Sequence, residues 1–326
     1  MKRALKIASF LIYYLFFMPN FSLHAGEESG ASFKPSLKLS GYSQVGYLNQ
    51  AQGIDEFKIR RARLSLGGEI LEKINYKIQV ETIQNPSLLD VEVSVMFLKE
   101  VILRFGQFKV PFSRESLTSG SDLETINRSQ VVENLCPGRD SRNKGRDIGM
   151  ALTGHFSRLE YSLGIFNGNG INKADDNSSK DIAGRVVFSP FESFSLGIAH
   201  YQGKYGPSSR GNQFDKKRTG MELFFSRDKF SLKGEFILAE DGEIQKKGWY
   251  LEGGFYFLPE KFQAIFKYDS LDLNKDIEGD RKDVITLGLN WFLAKKTKLQ
   301  VNYEYHNKNA SSLSNNVFIV QFQAGF

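Results

Sequence analysis

Between Phe57 and Leu64 four cationic side chains, Lys58, Arg60, Arg61 and Arg63, stand within eight residues. Lys77 and Arg104 follow, and then Lys109, Arg114, Arg128 and Arg139 fall in one 38-residue stretch, 108–145. A guanidinium presents a planar fork of donors that matches an oxyanion. A ladder of such cations along a narrow passage lowers the energy of an anion inside it. The same groups can instead brace neighbouring carboxylates. Glu69, Glu81, Glu92, Glu222, Glu235, Glu252, Asp269 and Glu304 share the candidate face of Arg61, Arg63, Lys77 and Arg104. Within the long stretch and its end, Glu115, Asp122, Glu124, Glu133, Asp140 and Asp147 oppose the cations. Read residue by residue, both wall and loop are mixed rather than basic, and both roles stay open.

Catalytic chemistry is poorly served. Beyond the first 25 residues there are three histidines, His155, His200 and His306, on separate segments. None accompanies a G-x-S-x-G nucleophile motif, and no His/Cys/carboxylate group has metal-ligand spacing. The single cysteine, Cys136, allows no intramolecular disulfide and reads as an incidental loop thiol. No enzyme, metal or cofactor is expected.

The N-terminus has the layout of a secretory signal: Lys2, Arg3 and Lys6, an uncharged apolar run over 7–18, and small residues ending at Ala25. That run is shorter than the roughly 20 residues a spanning helix needs. Residues 1–25 are expected to be cleaved and 26–326 to form one domain. Three positive charges leave with the signal, so the formal +6 falls to about +3; a pI of 9.1 then says little about nucleic acid, and none is expected as a partner.

The elements that must position the cations are strands. From Lys73 to Glu81, Ile74, Tyr76, Ile78 and Val80 point one way, and Lys73, Asn75, Lys77, Gln79 and Glu81 the other. The polar set is too charged for a packed core, and the apolar set is too regular to face water. Lipid on one side and a watery lumen on the other satisfies both. Averaging of the two faces explains a mean hydropathy of only −0.33 alongside 28 Phe and 13 Tyr. By this alternation strands are predicted at 36–48, 56–70, 73–84, 89–98, 101–107, 146–156, 158–167, 181–189, 193–203, 216–226, 229–240, 245–257, 261–270, 282–292, 297–306 and 316–326. Phe57 and Ile59 are out of phase with Ala62 and Leu64, which predicts a bulge near Arg60 or a strand end there.

Short and long connections alternate along the chain, as in a barrel with periplasmic turns and external loops. An all-β transmembrane antiparallel barrel of about 16 strands is therefore expected. The third long loop, 108–145, should fold into the pore as a constriction, with partial helix from Ser121 to Leu135 capped by Ser121 or Asp122. About ten residues between cleavage and the first strand leave no room for a plug. The last strand carries Phe318, Val320, Phe322, Ala324 and Phe326 on one face; its terminal Phe resembles the signal read by the outer-membrane assembly machinery.

Gly106-Gln107-Phe108-Lys109-Val110-Pro111-Phe112 resembles the "GQFKxPF" segment of the phosphate-selective porin O/P family. Phe57–Leu64 resembles its "RRAR" strand, and Pro137–Asp140 and Phe166–Gly170 are similar to further segments in order. The resemblance implies a barrel in the outer-membrane bilayer, usually trimeric, with the third loop as constriction. It implies basic residues that pass small anions such as phosphate, beginning at Arg60, Arg61 and Arg63. A non-selective general porin and a structural or adhesive barrel without transport are the alternatives.

Overall fold

The computed structural model describes residues 33–51, 53–83, 87–206, 213–308 and 316–326; the expected signal segment, 1–25, lies outside them. Sixteen antiparallel strands, each paired to its sequence neighbours, close into one barrel. They are β1 Lys38–Gln50, β2 Glu56–Leu71, β3 Ile74–Glu81, β4 Ser87–Leu98, β5 Val101–Lys109, β6 Arg146–Phe156, β7 Leu159–Phe166 and β8 Asp181–Phe191. The second half comprises β9 Phe194–Tyr205, β10 Phe214–Arg227, β11 Phe230–Asp241, β12 Ile244–Leu258, β13 Phe262–Asp272, β14 Lys282–Ala294, β15 Thr297–Lys308 and β16 Val317–Gly325. All sixteen predicted strands are present, and β1 pairs β16 to close the ring.

Closure leaves no unpaired edge, which is what a sheet in hydrocarbon requires. Side chains sort by parity. On β11, Phe230, Leu232, Phe236 and Leu238 are exposed on the outer surface, whereas Glu235 and Ile237 are buried inside. The turns at one end are tight, and Lys73, Ser157, Asp228 and Glu260 take left-handed φ of 65°, 50°, 53° and 58°, as short hairpin connections demand. Lys73 is thus a turn residue and not part of the wall: β3 begins at Ile74.

The bulge falls where the phase break put it. Gln44 pairs with Arg61 but Val45 pairs with Ile59, so Arg60 is the extra residue in β2. A bulge sets two residues against one on the partner strand. Arg60 and Arg61, although adjacent, line the same two interior cavities.

The chain between β5 and β6 enters the barrel, its base closed by Val110 N donating to Gly145 O at 2.9 Å. It holds two short helices, α1 Arg114–Leu117 and α2 Gln130–Leu135, capped by the hydroxyls of Ser113 and Ser129. The predicted helix from Ser121 is realised only from Gln130. Residues 120–126 give their backbone groups to the wall instead. Gly120 O accepts from Gln44 (3.1 Å), Ser121 O from Gln323 (3.1 Å), Leu123 O from Lys298 (2.6 Å) and Glu124 O from Asn290 (2.9 Å). Ile126 N donates to Asn302 Oδ1 at 2.6 Å.

Apolar contacts anchor the same loop. Ile126 packs with Leu48 and Ile319. Val131, Val132, Leu135 and Cys136 are buried in one cluster with Ile237, Tyr250 and Leu271 of β11–β13. A fully buried side chain of this size contributes about 1.5–3 kcal/mol. Cys136 is a core residue of this cluster rather than an incidental thiol, and burial pushes it up to about 12, where it is unreactive.

Candidate functional site

The loop fastens to β1 and to β10–β16, so the open part of the lumen lies on the side of β2–β5. Three cavities follow one another there. The first, about 460 Å³, is lined by Lys58, Arg60, Arg61, Glu304 and His306 among others. The second, about 480 Å³, shares Arg60 and Arg61 with the first. The third, about 300 Å³, shares Arg63, Lys109 and Arg146 with the second and reaches Lys77 and Arg104. Common walls make them successive stations of one path.

The central cavity has nine cationic side chains on its lining and two carboxylates, Glu81 and Glu133. Strand β2 supplies Arg60, Arg61 and Arg63, the β5 end supplies Lys109, and the inward loop and the start of β6 supply the rest. Four of the carboxylates that made the sequence look mixed lie elsewhere. Glu115, Glu235, Glu252 and Asp269 are buried between loop and wall and line none of the three cavities. There Lys233 contacts Glu252 at 2.8 Å and Glu124 of the loop at 2.9 Å. Burial would raise the Glu124 carboxyl, but Lys233 and Gln263 hold it down at about 2, so Glu124 is ionised at neutral pH.

The sequence-derived candidates divide by what holds them. Arg60 donates to Asn127 Oδ1 (2.6 Å) and Arg61 to Gln44 Oε1 (2.7 Å); neither is paired with a described carboxylate. Lys109 donates to the carbonyls of Leu117 (2.7 Å) and Thr118 (2.9 Å), and Arg128 to those of Glu115 (3.1 Å) and Thr118 (2.6 Å). These contacts point two basic side chains at the carbonyl end of α1, and neither is paired with a described carboxylate. Burial and the guanidiniums of Arg139 and Arg61 outweigh Glu115 and lower Arg128 to about 9, which still leaves it charged at neutral pH.

Others are braced. Arg63 pairs with Glu81 at 2.8 Å, Lys77 with Asp90 at 2.8 Å, and Arg104 with Glu92 through two bonds of 2.6 and 2.8 Å. Arg139 pairs with Glu133 at 2.8 Å. Arg114 is not brought to the path: its guanidinium lies 3.9 Å over the Phe224 ring, beside Ser195, on the wall of β9 and β10.

Three lining cations lay outside the candidate set: Arg142, Lys144 and Arg146. With Arg139 they fall within eight residues, and that density was the available signal. Arg142 and Lys144 have φ of 62° and 55°, so the chain turns sharply at both. Arg146 is buried against Asp90 at 2.6 Å.

The phosphate-selective porin O and P family matches residues 40–226 and 209–324, nearly the whole described barrel. An uncharacterized protein of Aquifex aeolicus is 25% identical over 279 residues, 71% of this chain and 66% of that protein; the chain thus spans just under two thirds of that relative. Among solved structures, the anion-selective porin from Comamonas acidovorans superposes with a TM-score of 0.69 at 18% identity, covering 90% of this chain and 100% of that one. The outer membrane channel DcaP of Acinetobacter baumannii gives 0.64 at 12% identity, covering 93% and 100%. The trimer form of OmpT from Vibrio cholerae gives 0.62 at 10%, covering 90% and 100%. At such identities the likeness carries the fold alone.

Proposed function

The chain belongs to the phosphate-selective porin O and P family and is an outer-membrane porin, and from that premise we propose that it passes small anions, phosphate among them, along the cation-lined path. The observation that carries this reading is the nine-to-two excess of cations over carboxylates around the central cavity. Arg60 and Arg61 are assigned the main role, because neither is paired with a described carboxylate. Arg128 adds charge to the same cavity, with Lys109 and Arg139 on its lining. Arg63, Lys77 and Arg104 contribute less, since each is paired within the wall. Arg114 takes no part in the path. The loop 108–145 acts as the constriction.

The reading extends to export and assembly. Residues 1–25 are removed on secretion, the C-terminal strand ending at Phe326 is read by the outer-membrane assembly machinery, and three copies associate, as in the trimer form of the Vibrio cholerae barrel.

The test is the reversal potential of single pores in a salt gradient. The parent should favour chloride over potassium, and Arg60→Ala with Arg61→Ala should shift the potential toward cation permeation. The shift should be largest at low ionic strength, where each charge reaches furthest. A parent reversal potential of zero would identify a general porin instead, and absence of conductance a structural barrel.

A further inference from the structure

Helix α2 turns one face to the wall and one to the cavity. Val131, Val132 and Leu135 are buried, while Glu133 and Asn134 are exposed to the lumen. This makes Glu133 one of the two carboxylates on the central cavity, and the two differ. Both oxygens of Glu81 are engaged, by Ala62 N at 2.9 Å and Arg63 Nε at 2.8 Å. Glu133 Oε1 accepts from Arg139 at 2.8 Å. No described residue donates to its other oxygen, and its side chain is 46% exposed.

Arg139 is the reverse case. Its Nε donates to Ser116 Oγ at 2.8 Å and its Nη2 to Ser116 O at 3.3 Å, and its side chain is 5% exposed. A fixed guanidinium therefore meets a hydrated carboxylate on a short arm.

We infer that Glu133 is a specificity-determining residue of the pore: a tethered counter-anion that competes with the passing anion for Arg139 and sets how tightly the central cavity holds multiply charged oxyanions. The inference rests on the anion-channel reading above. Conduction requires binding strong enough to admit an ion and weak enough to release it. Nine cations in one cavity favour admission. A carboxylate that can return to Arg139 favours release. Its repulsion scales with the charge of the anion, so it acts more strongly on a dianion than on chloride.

Glu133→Gln, Glu133→Ala and Glu133→Asp pores in planar bilayers provide the test. Chloride current at low ionic strength is titrated with inorganic phosphate at about pH 8, where phosphate is mostly dianionic. Loss of one unit charge about 6 Å away in a hydrated lumen should strengthen binding by about fivefold per unit of anion charge. Glu133→Gln and Glu133→Ala should lower the half-blocking phosphate concentration at least that far, while Glu133→Asp, which keeps the charge, should stay near the parent. An unchanged or raised half-blocking concentration in both neutral variants, with the parent still anion-selective, would overturn the inference and leave Glu133 a brace for Arg139. A parent without anion preference would remove the channel reading itself, and the inference with it.

Discussion

Lys233 shows how one residue decides where the loop's charge goes. It stands on β11 between Glu124 of the loop and Glu252 of the wall, and Glu252 is buried. Lys233→Met would strand two carboxylates without their shared cation. Removing one partner of a buried ion pair costs about 3–5 kcal/mol, so the loop should detach and the single-channel conductance should rise; bilayer recordings alongside thermal unfolding would check both effects. Arg60 presents the opposite case, an extra residue. Deleting it leaves Lys58 and Arg61 inward and Ile59 and Ala62 outward, in unbroken alternation with β1. The Arg60-deleted barrel should therefore assemble normally and be less anion-selective, whereas deleting Ser65 should reverse one side of β2 and block assembly. Yields of folded protein and reversal potentials separate the two variants.

At the scale of elements, the strands were legible because lipid and water impose a period of two on every one of them. Even the bulge was visible, as a change of phase between Ile59 and Ala62. The loop was only half legible. Its length and its apolar residues pointed inward, but its helix was misplaced, because side chains up to about 200 positions away, Gln323 and Asn302 among them, claim the backbone of 120–126. Contacts of that range leave no local pattern. Parity gives the strands a direct test. Leu232→Arg, on the outer face, should cost about 2–4 kcal/mol if it sits near the bilayer midplane; Ser65→Arg, facing the open lumen, should be far milder. Equilibrium unfolding in detergent or lipid would compare them. Deleting residues 116–133 should widen the pore and raise conductance without preventing closure, because the polar groups it uncovers would be hydrated by the lumen.

For the whole molecule, the lesson lies in how charge is distributed. A nearly balanced set of acids and bases becomes a one-sided path because the loop covers the acid-rich wall of β10–β15 and leaves the arginines of β2 uncovered. No count along the chain could show this, since it depends on which wall the loop adopts. The loop also touches the seam of the barrel. Gln44 of the first strand donates to Gln323 of the last at 2.7 Å, and each also donates to the loop, at Gly120 O and Ser121 O. These two glutamines face each other only in the native register of β1 and β16. A ring closed two residues out of step would separate them and forfeit both loop contacts. The segment that narrows the lumen thus doubles as an inspector of closure, made before the final strand and able to seat fully only when the last strand has met the first at the right place.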